Sequence, residues 1–260
     1  MNKHQLYVHY LKEEHPFVDR IIEWSERVVK THIPIRTDFV DPRQLQIIKD
    51  IVNSYMDLTM FFDGGYEEAE RTRVIIAPDY SVYNPMDMGL TFFNINSKTK
   101  FISLQHRDIL GALLSLGIKR EKFGDILISD DKNQLIVAEE IADYVRLELT
   151  QIANAKVSLE EIKREDLIDV NQILQTVTLT VSSLRVDTVL SGLYNQSRVK
   201  VGELIKKKLL KVNWKIIDRV DYKLKVGDVI SLRGFGRSKF LEEEGTTKKG
   251  RIRVRFGKLI

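Results

Sequence analysis

Cysteine is absent from all 260 residues. That one absence removes disulfide frameworks, thiolate zinc sites and cysteine nucleophiles together, and it fits a reducing compartment. No stretch approaches the roughly 18 apolar residues that a bilayer crossing needs. The opening, MNKHQLYVHYLKEEH, is polar and charged where a secretory signal has an apolar centre. The expected location is the cytoplasm, with no membrane partner. Signs of disorder are missing as well: 43% of the residues are apolar and 30% charged, an ordinary soluble composition. The length is large for one core and comfortable for two or three small ones.

Enzymatic signatures are also lacking. HRD at His106–Asp108 has the letters of a kinase catalytic loop, but Leu113 stands where an asparagine must hold magnesium. GFGRSK has no third glycine for a phosphate loop, and nothing fits the Walker pattern. The five histidines have no zinc spacing, and Glu67, Glu68 and Glu70 read as a solvated helix start. No metal, cofactor or catalytic residue is expected, and His106 reads as a helix-start residue.

What is present is charge of one sign at one end. Residues 182–260 hold 20 Lys and Arg against 8 Asp and Glu, while residues 1–181 hold 21 against 29. Such separation is expected when one module meets a polyanion, because Lys and Arg displace the counterions condensed on phosphates.

The chain reads as three parts. Residues 1–70 are expected to be helical: Phe17, Ile21, Trp24 and Val28 share a face, and Asp41 with Pro42 opens a second helix. In residues 71–180, RVIIAP reads as a strand; LTFFNI, HRDILGALLSLG, DILIS, QLIVA, EEIADYVRLELTQI and AKVSL then follow the order β-α-β-β-α-β. That is the ferredoxin-like arrangement of many RNA-recognition folds. Its third strand, QLIVA, lacks the stacking aromatics of such folds, although Phe92 or Phe93 could face a ligand. RGFGRSKF, residues 233–240, looks like the missing aromatic motif but lies in the wrong domain, with Arg237 and Ser238 where Phe and Val belong. A base-stacking role for that stretch is rejected.

Residues 181–260 carry the strongest signal. Ser183 and Ser197 are the expected caps of two short helices, and strands follow at LLKVNWKIID and KVGDVISLRG. Leu184-Arg185-x-Asp187-x-x-Leu190, then Ser197-Arg198, Val212-Asn213 and Gly227-Asp228-Val229-Ile230, resembles the S-four RNA-binding domain. Lys208 departs from it where many members have glycine. FFDGGYEEAERTRVIIAP, HRDILGALLSLGIKREKFGDILI and SLRGFGRSKF extend the likeness, so that nearly the whole chain resembles the YlmH-type proteins of Gram-positive bacteria.

The resemblance implies an α+β chain: a helical N-terminal region, an RRM-like middle domain and a C-terminal S-four domain. It implies a non-catalytic factor that binds ribosomal RNA and peptidyl-tRNA on obstructed large ribosomal subunits, in the quality-control process that tails the stalled peptide, with a tailing factor of that process as a candidate partner. A monomer is expected. A division-linked scaffold is the alternative reading; an RNA-modifying enzyme such as a pseudouridine synthase is a third, for which the middle region is too short. By carry-over, Arg185 and Arg198 are the two arginines that grip RNA, and a planar guanidinium can bind two phosphate oxygens or stack on a base. Asp187 would orient Arg185 or cap the helix. Lys200, Lys206, Lys207, Lys211 and Lys215 would be phosphate neighbours. Asn213 fits an RNA contact or a turn equally. Arg233, Arg237 and Lys239 would neutralise phosphate beside glycines that let the backbone come near. Arg251, Arg253 and Arg255 alternate with apolar residues and would extend the basic surface.

Overall fold

Helix α1 (His15–Thr31) buries Val18, Ile21, Ile22, Ser25 and Val28, a stripe at spacings of three and four. The expected face is rotated slightly: Phe17 and Trp24 flank the core rather than centre it. The computed structural model describes residues 6–97, 104–129, 131–169 and 174–259; Asp130, in the expected turn DDKN, lies outside them. Helix α2 (Pro42–Val52) starts as expected. The Asp41 carboxylate accepts from the Gln44 N–H at 2.9 Å, the Gln44 side chain reaches back to the Asp41 N–H, and Pro42 occupies the first turn.

The N-terminal region also contains a sheet that the sequence reading assigned otherwise. Strands β1 (Ile35–Arg36), β2 (Leu58–Asp63) and β3 (Arg73–Pro78) form a three-stranded antiparallel sheet in the order β1-β3-β2. RVIIAP is thus the centre of the N-terminal sheet, not part of the middle one. All six of its residues are buried, and a strand without a wet face needs a neighbour along each edge and cover on both sides. The helices α1 and α2 join Val74 and Ile76 in one core.

The middle fold matches its expected order. Strands β4 (Leu90–Ser97), β5 (Phe123–Ile128), β6 (Asn133–Ala138), β7 (Gln151–Ile152) and β8 (Ala155–Ile162) form an antiparallel sheet ordered β5-β6-β4-β8-β7. Helices α3 (His106–Ser115) and α4 (Glu139–Glu148) supply the two crossovers. On the helix side, Phe93, Leu135 and Val137 pack with Ile109, Leu113 and Val145. The opposite face, where an RNA-recognition sheet would stack bases, is covered. Phe92 is only 8% exposed and lies among Phe39, Ile136, Tyr66, Leu167 and Ile168. The backbone at Gly65 comes so near that a Cβ there would meet Phe92 at 2.6 Å, at a φ of +102° that favours glycine anyway. Neither Phe92 nor Phe93 is free for a ligand.

The chain forms two compact units, Met1–Val170 and Asn171–Ile260. Strand β9 (Leu174–Val181) belongs to the second unit because it pairs along its whole length with β14 (Ile252–Leu259). That unit is a six-stranded antiparallel sheet in the order β11-β10-β12-β13-β14-β9, with β10 (Leu210–Val212), β11 (Lys215–Ile216), β12 (Val229–Leu232) and β13 (Gly236–Thr246). Helices α5 (Val186–Leu193) and α6 (Arg198–Lys206) cover one face, burying Val189, Leu190, Val201 and Ile205 against Leu210, Ile230, Phe240 and Phe256.

Candidate nucleic-acid interface

The two helices of the second unit begin where the conspicuous arginines lie. Ser197 caps α6 as expected, its Oγ accepting from the Lys200 N–H at 3.2 Å. For α5 the N-cap is Arg185 rather than Ser183, whose Oγ instead reaches only the Thr188 hydroxyl at 3.5 Å. Asp187, in the first turn of α5, has an almost buried carboxylate, 8% exposed. Arg185 donates to it through Nε and Nη2, both at 3.1 Å, and Arg198 through Nη2 at 2.6 Å. Burial works against ionisation of Asp187, but the hydrogen bonds and charges of the two arginines outweigh it and hold the carboxyl at about 2, below its ordinary 3.8. Two guanidiniums thus share one carboxylate and leave one positive charge in excess. The side chains remain 38% and 56% exposed.

Lys200, Lys206 and Lys207 are exposed on or just after α6. The helix closes with the Lys208 N–H on the Ile205 carbonyl at 2.9 Å and the Leu209 N–H on that of Leu204 at 3.2 Å, the double bond of a Schellman end. Lys208 takes φ +59° there, the left-handed position usually held by glycine, so the helix ends as in the S-four pattern despite the substitution.

The sheet has two unlike faces. Leu210, Val212, Ile230, Leu232, Ser238 and Phe240 are buried. On the other face Lys211, Ser231 and Arg237 stand opposite one another across three strands, and Val229 pairs with Lys239 one step along. Lys208, Leu209, Lys211, Trp214, Val229, Ser231, Arg233 and Arg237 line a cleft of about 360 Å³ on this side. The Arg237 guanidinium carbon lies 5.5 Å from the centre of the Trp214 ring, within cation–π range. Lys215 follows Trp214 and is half-buried in β11. Asn213 is the turn former of the two readings. Its Oδ1 accepts from the Val229 N–H at 2.9 Å, and its Nδ2 donates to Asp228 at 2.8 Å, so the amide is committed to the protein.

RGFGRSKF brings no aromatic platform: Phe240 is fully buried and stacked on Phe256, and Phe235 lies against Tyr194. The expected extension of basic surface along β14 is largely cancelled. Arg253 pairs with Glu244 at 2.8 Å, and Arg255 with Glu242 at 2.5 Å and Glu244 at 3.7 Å. The residues that sequence reasoning missed are Trp214 and Lys208 as cleft walls; the signal available was Asn-Trp where a tight hairpin favours Asn-Gly.

Three family models match the chain in succession: "YlmH, N-terminal" over residues 13–81, "Putative RNA-binding domain in YlmH" over 84–166, and "S4 domain" over 184–230. Ribosome-associated protein quality control protein P2 of Bacillus subtilis is 43% identical over 254 residues, spanning 96% of this chain and 97% of that protein. The chain belongs to the YlmH family. A solved structure of the family, the cell division protein ylmH from Streptococcus pneumoniae, is 31% identical with a TM-score of 0.55, covering 62% of this chain and 98% of that one. An RNA-binding role follows for this YlmH-family chain. The S4 match takes in the arginines held by Asp187 and the Asn213 hairpin. Arg233, Arg237 and Lys239 lie beyond its end, so the part of the basic sheet face that β13 supplies falls outside that match.

Proposed function

We propose that the protein is a non-catalytic RNA-binding factor of the cytoplasm that acts as a monomer on large ribosomal subunits obstructed by peptidyl-tRNA, contacting ribosomal RNA and tRNA. The carrying observation is the pair Arg185 and Arg198, set on adjacent helix starts by a single carboxylate. Pre-orientation matters because a guanidinium already fixed in direction loses less freedom on meeting phosphate. Lys200, Lys206, Lys207, Lys211, Lys215, Arg233, Arg237 and Lys239 add attraction around it. The name of the Bacillus relative supports the ribosomal setting; a tailing factor of the same process is the protein partner proposed. The name of the streptococcal structure supports a division-linked reading instead, and capture of septal proteins rather than ribosomal RNA by a tagged copy would favour it. The deciding experiment is cosedimentation with purified large subunits. Arg185→Ala with Arg198→Ala is expected to abolish it while the circular dichroism spectrum stays native. Undiminished cosedimentation would remove the arginine pair from the interface.

A further inference from the structure

The hairpin joining β10 to β11 has a two-residue loop, with Val212 paired to Lys215. Its loop residues, Asn213 at φ +49° and Trp214 at φ +63°, are both left-handed. That is the mirror-image turn matching strand twist, and asparagine followed by glycine is its preferred pair. Asparagine tolerates the conformation; a bulky residue in it is an outlier. Trp214 is not repaid by burial in the apolar core of the unit, which does not include it. Its indole instead lines the cleft with Lys208, Lys211, Arg233 and Arg237. An aromatic held in a strained position among cations is the kind of local cost that marks a binding site.

The geometry points to Trp214 as a stacking platform for an unpaired RNA base, flanked by Arg237, with Lys208, Lys211 and Arg233 taking the neighbouring phosphates. An indole face accepts any base, while the cations hold the backbone on either side. The cleft is polyanion-attracting without Trp214, so what the ring adds is selectivity for a polyanion that carries bases. The covered sheet of the first unit offers no such platform. This inference rests on the RNA-binding reading above.

The test uses the full chain, a tRNA transcript, and inorganic polyphosphate as a polyanion without bases. Trp214→Gly installs the preferred turn residue, so the variant is expected to melt no lower than the native protein. It is expected to bind tRNA about tenfold more weakly with polyphosphate affinity unchanged, and Trp214→Phe to retain most of the tRNA affinity. Equal tRNA affinity in Trp214→Gly, or equal losses toward both polyanions, would overturn stacking. A spectroscopic measurement needs no change at the site. With Trp24→Phe, Trp214 is the sole tryptophan; its emission is expected to be quenched by tRNA and not by polyphosphate, and absence of quenching on saturation with tRNA also overturns the inference. If the native chain fails to bind tRNA even in dilute buffer, the RNA-binding reading itself fails; if it binds and only the Trp214 results are negative, that reading stands without the platform.

Discussion

A carboxylate placed between two guanidiniums does double duty in the second unit, as a brace for the interface and as a source of stability that depends on pH. Because the folded state holds Asp187 at about 2 against 3.8 unfolded, its contribution is fully present above about pH 4 and is lost as pH falls through 2. Its size is on the order of 2 kcal/mol, with roughly half remaining at pH 3. Asp187→Asn should therefore lower the urea unfolding free energy at pH 7 by about that amount, and the gap to the native protein should narrow on acidification. Parallel curves from pH 7 to pH 3 would show that the carboxylate is not held by its arginines. At this scale the sequence was readable for Ser197 as a cap and for Asp187 as a group that orients Arg185, whereas the bond from Arg198 to the same carboxylate emerges only from the fold. It was silent on Trp214, whose place follows from the register of a hairpin and from strands that meet only after folding. Lys208 lies between these cases. Its position at the end of the second helix was legible, but only the two closing hydrogen bonds reveal that it accepts the left-handed conformation, at about 1 kcal/mol relative to glycine.

Among the elements, the helices were legible because their apolar residues recur every three or four positions, whereas β3 was legible as a strand but not as a neighbour. A continuous buried run such as RVIIAP carries no alternation, so nothing in it says which sheet supplies its partners. The physical tie is a side chain. Arg73, 3% exposed, donates to the Thr37 carbonyl at 2.9 Å, the Gly89 carbonyl at 3.0 Å, and both oxygens of Glu140 at 3.0 Å. It thereby joins the N-terminal sheet to the start of β4 and to α4, and the covered face of the middle sheet is the apolar counterpart of that union. Removing it takes away a donor from the Thr37 carbonyl, while the Gly89 carbonyl keeps the Glu139 N–H at 2.9 Å and Glu140 keeps Lys122 at 3.3 Å. Arg73→Ala is expected to cost the first unit about 2 kcal/mol, less than a wholly buried pair would, since Glu140 keeps Lys122 and can partly rehydrate. Trp24 emission in a Trp214→Phe background reports on this unit during urea unfolding. A midpoint unmoved by the substitution would mean that the first unit is two loosely associated parts.

Across the whole molecule the separation of charge, an excess of 12 on residues 182–260 and a deficit of 8 before them, supports the proposal that polyanion affinity lies in the second unit. The structure refines which of those cations count. Cations facing one carboxylate each contribute little to counterion release, because they are neutralised before RNA arrives. Arg253 and Arg255 face Glu242 and Glu244; Arg185 and Arg198 share the Asp187 carboxylate, and Lys206 and Lys207 are exposed on the helix end. The log–log dependence of tRNA affinity on salt should therefore be steep, by about 0.7 to 0.9 for each phosphate neutralised. Lys206→Ala with Lys207→Ala should reduce that slope by about 2, while Arg253→Ala with Arg255→Ala should leave it within about half a unit of native. The two double variants remove the same formal charge, so an account based on net charge expects equal slopes. Binding isotherms for both, taken between about 50 and 200 mM salt, decide between the two: equal losses would mean that overall charge attracts the RNA and that the pairing along β14 has no bearing on the interface.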